Sequence, residues 1–433
     1  MEMEFYNRLP KYMWDLVIFP RLGLKDLIRL GAVSHSWRSI AAEVQRYLHP
    51  LPWLMISRDV DTKIGTFYSL SESKIYNLKL PELEWESYCC GSSQGFFIVA
   101  NWKNNFIFNP FSQTRIDLPR QYVSPKHEYE SLNNIRFYFK KAIILSTFDT
   151  SNVVPQRVVV SGLSAELDVI EMCTSQDPEW AIFGVDKEER IDFEGREEII
   201  YLDSSSDDDD DEEEEDTRPA EPIVKEDEWL FSDILFYKGM LYGLTQANGL
   251  VRFEFTNDLK QPLALTVLNV HPMSRPTDAG FKGIYSYLVE SRGELLMVYR
   301  YGNPLCRDSK GLHITEKFLV YKLDQSSDPL QWVQLQSLGD QMLFLGRSSS
   351  MSFSAASIPG FKGNCIYFTD DAWPYFFHGV GSRYCNSDNG IFYLDDGHIE
   401  SFFKTDDSYS FNLSPVWVAP NWISRGKSDI KQL

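Results

Sequence analysis

Gly239-Met240-Leu241-Tyr242-Gly243-Leu244, followed by Asn248-Gly249-Leu250-Val251-Arg252-Phe253-Glu254-Phe255, is the stretch from which the fold is read. Short apolar or alternating runs flank a turn, and Asn-Gly tolerates the positive φ that a tight hairpin requires. The cadence returns where Asp396-Gly397 leads into His398-Ile399-Glu400-Ser401-Phe402-Phe403. Similar strand-like runs stand at 96–99, 157–160, 293–299, 318–323, 364–368 and 390–394. Repeated hairpins over about 340 residues suggest radial blades, and roughly 40–50 residues per blade gives about six or seven. A propeller also protects the edges that so much strand would expose. The expected fold is therefore mainly β, with a β-propeller-like domain over residues 54–421. Its six or seven blades are degenerate, with neither kelch Gly-Gly doublets nor a recurring Trp-Asp. A pair of β-sandwiches is the structural alternative.

Composition agrees with a folded, strand-rich chain. Of 433 residues 43% are hydrophobic and 14% aromatic, and aromatic side chains pack well on pleated surfaces. The net charge of −20 is uneven: residues 203–216 hold eleven acids, which leaves 51 acids against 42 bases, or −9, elsewhere. This balance argues against nucleic acid, whose backbone demands a positive surface. The acidic tract has no apolar residue to bury, so an insertion at about 203–226, in a loop between blades, is expected to be disordered. Ser204, Ser205 and Ser206 precede its acids, as at a site for an acid-directed kinase.

The first 52 residues read differently. Leu9-Pro10, Trp14-Asp15-Leu16-Val17-Ile18, Leu22-Gly23-Leu24-Lys25-Asp26-Leu27-Ile28-Arg29-Leu30 and Ala32-Val33-Ser34-His35-Ser36-Trp37 carry apolar residues at three- and four-residue steps. That spacing predicts short amphipathic helices. Pro20 should stop or kink the first of them. A segment this small cannot bury a convincing core, so its apolar face is expected to meet a second protein.

This run resembles an F-box, the helical module that docks on the Skp-type adaptor of cullin–RING ubiquitin ligases. Further motifs extend the likeness: Cys89-Cys90-Gly91-Ser92-Ser93-Gln94-Gly95, Asn109-Pro110-Phe111-Ser112, Ile116-Asp117-Leu118-Pro119, Trp332 to Gly346, 363–371 and Pro415-Val416-Trp417-Val418-Ala419-Pro420. Their order is similar to that of a plant-specific F-box family whose carboxy-terminal domain has no assigned function. The resemblance implies a three-helix F-box module over residues 1–52, the β domain, and a tail over 422–433. It implies a substrate-receptor subunit of an SCF-type ligase that binds the adaptor through its helices and an unidentified protein target through the β domain.

The residues expected to face the adaptor are Leu9, Pro10, Leu16, Ile18, Leu22, Leu24, Leu27, Leu30, Val33 and Trp37, because helix-in-groove recognition needs apolar anchors on one face. Val33 and Trp37 have an alternative role, packing the helices together. Two departures stand out: Ser34 occupies a position where Cys is common, and the stretch from Pro10 to Leu22 is one residue longer than usual.

Signals for chemistry are poor. The pairs Asp370-Asp371, Asp395-Asp396 and Asp406-Asp407 follow strands at turn-like positions, where Asp is favoured for backbone hydrogen bonds. Seven His and six Cys show no metal-ligand spacing. Gly426-Lys427-Ser428 lacks the upstream glycine of a phosphate loop. Cys89-Cys90 reads as a strand entering a turn. No secretory signal and no run of about 20 apolar residues is present. The expectation is a non-enzymatic protein of cytoplasm or nucleus, without cofactor or metal, contacting neither membrane nor nucleic acid. The rivals are a scaffold that tethers a partner outside the ligase, and a carbohydrate-acting propeller enzyme.

Overall fold

Tyr237-Lys238-Gly239-Met240 reverses the chain with φ of 48° at Lys238 and 83° at Gly239, and the strands Phe231–Tyr237 and Met240–Thr245 pair antiparallel on either side. Positive φ at both central residues is the turn whose twist matches a hairpin. Gln94-Gly95 and Arg292-Gly293 make the same turn in two other sheets. The computed structural model describes residues 13–22, single positions from 26 to 40, 51–84, 87–100, 104–119, 139–145, 159–164, most of 170–183, 231–245, 248–255, 262–271, 282–307, 313–346, 350–369, 371, 388–401 and 415–420.

The described strands form six sheets that follow one another as a β-propeller. Five are regular blades of four antiparallel strands; the sixth has five strands, and its strands Gln341–Leu345 and Cys365–Phe368 pair in parallel. The expected six or seven degenerate blades are thus corrected to five regular blades and one rearranged sheet. The rearrangement arises because Gln341–Leu345 first makes a hairpin with Met351–Ser354, and the chain then passes through the short turn Ala355–Ser357 to the far side of that pair.

One strand at the edge of each sheet lines the centre. These inner strands are Val416–Val418 in the first blade, Tyr88–Ser93 in the second, Phe139–Ile144 in the third, Phe231–Tyr237 in the fourth, Lys282–Ser291 in the fifth and Met351–Ser354 in the rearranged sheet. Successive inner strands are in contact from the first blade round to the rearranged sheet. Gly91 is required here: a Cβ at that position would lie 2.1 Å from the carbonyl oxygen of Ala142 on the next inner strand. Cys89 and Cys90 are buried on the same strand just before the Gln94-Gly95 turn.

The ring closes by joining the two ends of the domain. Val416–Val418 pairs with Trp53–Asp59, so the last described strand completes the first blade. Trp417, fully buried, donates its indole N–H to the Leu345 carbonyl at 3.1 Å and stands edge-on to Phe344 at 5.2 Å. The apolar core is divided among the junctions between neighbouring sheets, where each pair of faces buries its own cluster. The acidic insertion at 203–226 and the tail at 422–433 lie outside the described residues.

The amino-terminal module differs from expectation. Its delimited elements are a five-residue π-helix, Trp14–Ile18, and a three-residue 3-10 turn, Phe19–Arg21. Asp26, Arg29, Leu30, Val33, Trp37 and Ile40 have helical backbone, but a three-helix bundle is not delineated among the described residues. The amide of Phe19 reaches the carbonyl of Trp14, five residues back. A π turn holds one more residue than an α turn, which is how the longer stretch before Leu22 is accommodated. Pro20 sits near the start of the 3-10 turn, where a missing N–H costs little.

Candidate functional site

Two regions carry the functional argument: the helical module and the mouth of the central channel. In the module, Trp14 packs edge-on against Trp37 at 5.0 Å and lies 5.7 Å from Phe19. Phe19 and Trp37 are buried. Trp37 is thus packed within the module, against Trp14. Val33, one helical turn earlier, is 62% exposed. Ile18, Leu22 and Leu30 are half-buried, and Leu16 lies on the π-helix with its side chain outside the described set. Leu9, Pro10, Leu24 and Leu27 lie outside the described residues.

The channel opens where the inner strands end. The repeated turns after Ser93, Tyr237 and Ser291 place Gln94, Lys238 and Arg292 on this one face. A cavity of about 460 Å³ lies here, with Gln94 and Arg292 in its lining. Ile143, Leu235, Phe236 and Phe353 form its apolar wall, and Ser92, Ser93, Gln341 and Ser352 its polar wall. The polar wall is largely preorganised. Ser92 donates to the Trp417 carbonyl, Ser291 and Ser352 are 2.8 Å apart, and Ser352 donates to Gln341 Oε1 at 3.0 Å. The Gln341 amide in turn meets Asp340, which forms an ion pair with Arg292.

Glu290 is the one carboxylate of this lining among the described residues. Glycoside hydrolysis needs two carboxyl groups across a cleft, about 5–10 Å apart, so the lining does not carry that arrangement. The Asp pairs lie elsewhere. Asp371 is buried and accepts the Tyr287 hydroxyl, and Arg300 Nη1 stands 3.5 Å from it. Asp395 accepts from Asn364, and Asp396 accepts the His398 amide at 2.9 Å, as turn carboxylates do. Asp370 and the pair Asp406-Asp407 lie outside the described residues.

Sequence reasoning missed two clusters. Arg300 is 1% exposed and binds Asp388 at 2.8 Å, the Thr369 carbonyl at 2.8 Å and Thr315 Oγ1 at 2.6 Å. Neighbouring Asp388, Tyr287 and Asp371 hold its guanidinium charged despite burial. Across the third and fourth blades, Lys141 forms a buried ion pair with Asp233, which also accepts the Leu288 amide of the fifth blade at 2.7 Å. The channel mouth had a readable signal, the polar-Gly dipeptides at strand ends. The buried clusters had none, since their members are scattered along the chain. Among the described residues no group of His, Cys, Asp or Glu could hold a metal, and no helix is long and apolar enough to cross a membrane.

A family model described as the KIB1-4 beta-propeller matches residues 67–395. F-box protein SKIP23 of Arabidopsis thaliana is 26% identical over 444 residues, covering 98% of this chain and 96% of that protein. A second F-box protein of the same plant is 35% identical over 116 residues, 26% of this chain and 80% of that protein. For two further F-box relatives the aligned part spans only 39% and 24% of their lengths. Among solved structures, a luciferin-regenerating enzyme matches at 8% identity and a TM-score of 0.27, covering 64% of this chain and 81% of that one. A score this low says nothing about function.

Proposed function

The chain belongs to the KIB1-4 beta-propeller family, and from that premise we propose that it is the substrate receptor of an SCF-type cullin–RING ubiquitin ligase. Its amino-terminal helices hold the Skp-type adaptor and its propeller holds a protein target. Plant F-box relatives along nearly the whole chain support the reading. The observation that carries it lies in the helical module. Positions four apart on a helix share one face, yet Trp37 is buried against Trp14 while Val33 is 62% exposed. An apolar residue next to the internal packing is thus left uncovered, as a helix-in-groove anchor requires.

On this reading the chain performs no chemistry and works in cytoplasm or nucleus. It holds a target lysine near the charged conjugating enzyme and so raises its effective concentration. The test is a pull-down of the Skp-type adaptor by the full chain beside the double variant Leu24→Ala, Leu27→Ala. Each buried Leu truncation costs about 2–5 kcal/mol, so the double variant should bind roughly a thousandfold more weakly or worse. Capture by the wild type and loss in a variant with unchanged circular dichroism supports the proposal. A folded wild type that captures no adaptor overturns it. Adaptor capture without turnover of the bound partner would favour a tethering scaffold.

A further inference from the structure

We infer that the central channel is a binding site for a small neutral molecule bearing hydroxyl or amide groups. The inference is independent of the adaptor reading. Five of the six sheets line the cavity, and Ala419, which follows the inner strand of the first blade, joins them. The cavity's volume of about 460 Å³ falls within the range of roughly 300–1,000 Å³ typical of small-molecule sites.

The decisive group is Ser350. It lines the cavity, is 8% exposed, and its buried hydroxyl has no hydrogen-bond partner. Buried polar groups in folded proteins are almost always paired, so an orphaned hydroxyl in the wall of a cavity marks a place for a ligand atom. Ser352, two residues on, is fully engaged with Ser291 and Gln341. The contrast between Ser350 and this near neighbour shows that the wall can satisfy its own hydroxyls and leaves this one open.

Charge selects the ligand class. Arg292 is committed to Asp340, and Lys238 lies 4.8 Å above the ring of Tyr237 and close to Glu290. The cation of the lining is thereby engaged, and Glu290, the one carboxylate of the described lining, is exposed. An anion finds no uncommitted cation in the described lining, and a cation gains little from an exposed carboxylate that water screens. A neutral molecule needs neither. It gains hydrogen bonds from the serines while Phe236 and Phe353 cover its apolar faces.

The experiment is saturation-transfer NMR on the full chain with neutral probes (N-acetylglucosamine, myo-inositol and N-acetylglycinamide) and charged ones (citrate and spermidine). Ser93→Trp fills the mouth at a residue that is only half-buried, and Ser350→Ala removes a hydroxyl whose loss breaks no existing bond. Thermal unfolding of both variants establishes that they fold. At least one neutral probe should give a signal that Ser93→Trp abolishes and that Ser350→Ala weakens by about fivefold, the worth of one hydrogen bond. Citrate and spermidine should give none. A channel that takes no neutral probe in a manner sensitive to Ser93→Trp, or that prefers either charged probe, overturns the inference.

Discussion

Where the first blade meets the second, Trp53 stacks on Tyr76 at 4.6 Å and meets Phe111 edge-on at 5.4 Å, while Phe67 lies over Phe97 at 6.2 Å. Where the fifth blade meets the rearranged sheet, Phe318 packs on Phe368 and Phe392, but the junction also encloses Arg300 with Asp388, Asp371, Tyr287 and Thr315. A regular blade presents a face that a regular neighbour can fill with rings, and burial of that face does most of the joining, with polar contacts such as Arg115 to Glu82 at its rim. The rearranged sheet must also fix the chain near Thr369 and Asp388, where the backbone leaves the ladder. Arg300 reaches both points at once, with a planar fork suited to several acceptors. Aromatic packing gives these junctions adhesion; the buried ions give one of them register. Such an ionic cluster is weak evidence for stability in itself, because desolvation offsets much of the attraction.

The largest effect is expected at the ring closure, where an apolar junction depends on a single short strand. Trp417→Ala removes a fully buried indole, its hydrogen bond to Leu345 and its contact with Phe344. Large-to-small substitutions of this kind cost about 3–5 kcal/mol, and the upper end is expected because few other residues hold this strand. Urea denaturation followed by tryptophan fluorescence measures it. A change in the slope as well as the midpoint would show that the ring opens before the blades unfold. A loss below about 1 kcal/mol would place the closure elsewhere, since it would equal no more than one ordinary hydrogen bond.

Much of this design was legible in advance. Asn248-Gly249 and Asp396-Gly397 both fall in hairpins, with Asn248 at φ 72° and Gly397 at φ 72°. Local turn chemistry is a short-range property, so sequence carries it directly. The closing motif at 415–420 was visible as a motif, but its pairing with Trp53–Asp59 spans the whole domain, and no local pattern encodes it. The same limit hid the Arg300 cluster, whose members run from Tyr287 to Asp388. In the helical module the extra residue before Leu22 was countable; its resolution as a π turn was not, because that depends on where Trp14 must sit to meet Trp37.

The ionic junction should behave differently when its parts are removed singly and together. Arg300→Met leaves the carboxylates of Asp371 and Asp388 without their cation, a loss of about 3 kcal/mol, at the lower end for a broken buried pair. The lower end is expected because Asp388 keeps the Thr315 amide at 3.1 Å and its hydroxyl at 2.7 Å. Replacing all three charges, as Arg300→Met, Asp371→Asn and Asp388→Asn, should recover most of the loss. Chemical denaturation of the two variants decides the matter. Equal losses would mean that Arg300 supplies adhesion after all, and the contrast with the aromatic junction would fail.

The smallest effect reverses an intuition about which junction is sensitive to pH. The aromatic junction holds Cys89, whose thiol is pushed up to about 12 from 9 by burial, partly opposed by Arg58. Above pH 9 the unfolded chain releases this proton while the folded chain keeps it. The folded state then binds more protons, so stability is fully present below pH 9 and declines as pH rises toward 12. The ceiling is about 1.4 kcal/mol per pH unit, and roughly 1 kcal/mol is expected between pH 9 and 10. In the ionic junction Tyr287 is also raised by burial and by Asp371, but its ordinary value is 10, so its contribution begins to be lost one unit later. The stability difference between wild type and Cys89→Ala should therefore shrink from pH 9 to pH 10, while that between wild type and Tyr287→Phe changes only about a third as much. If the tyrosine variant changes first, the ion-bearing junction is the alkaline weak point and the ring-filled one is not.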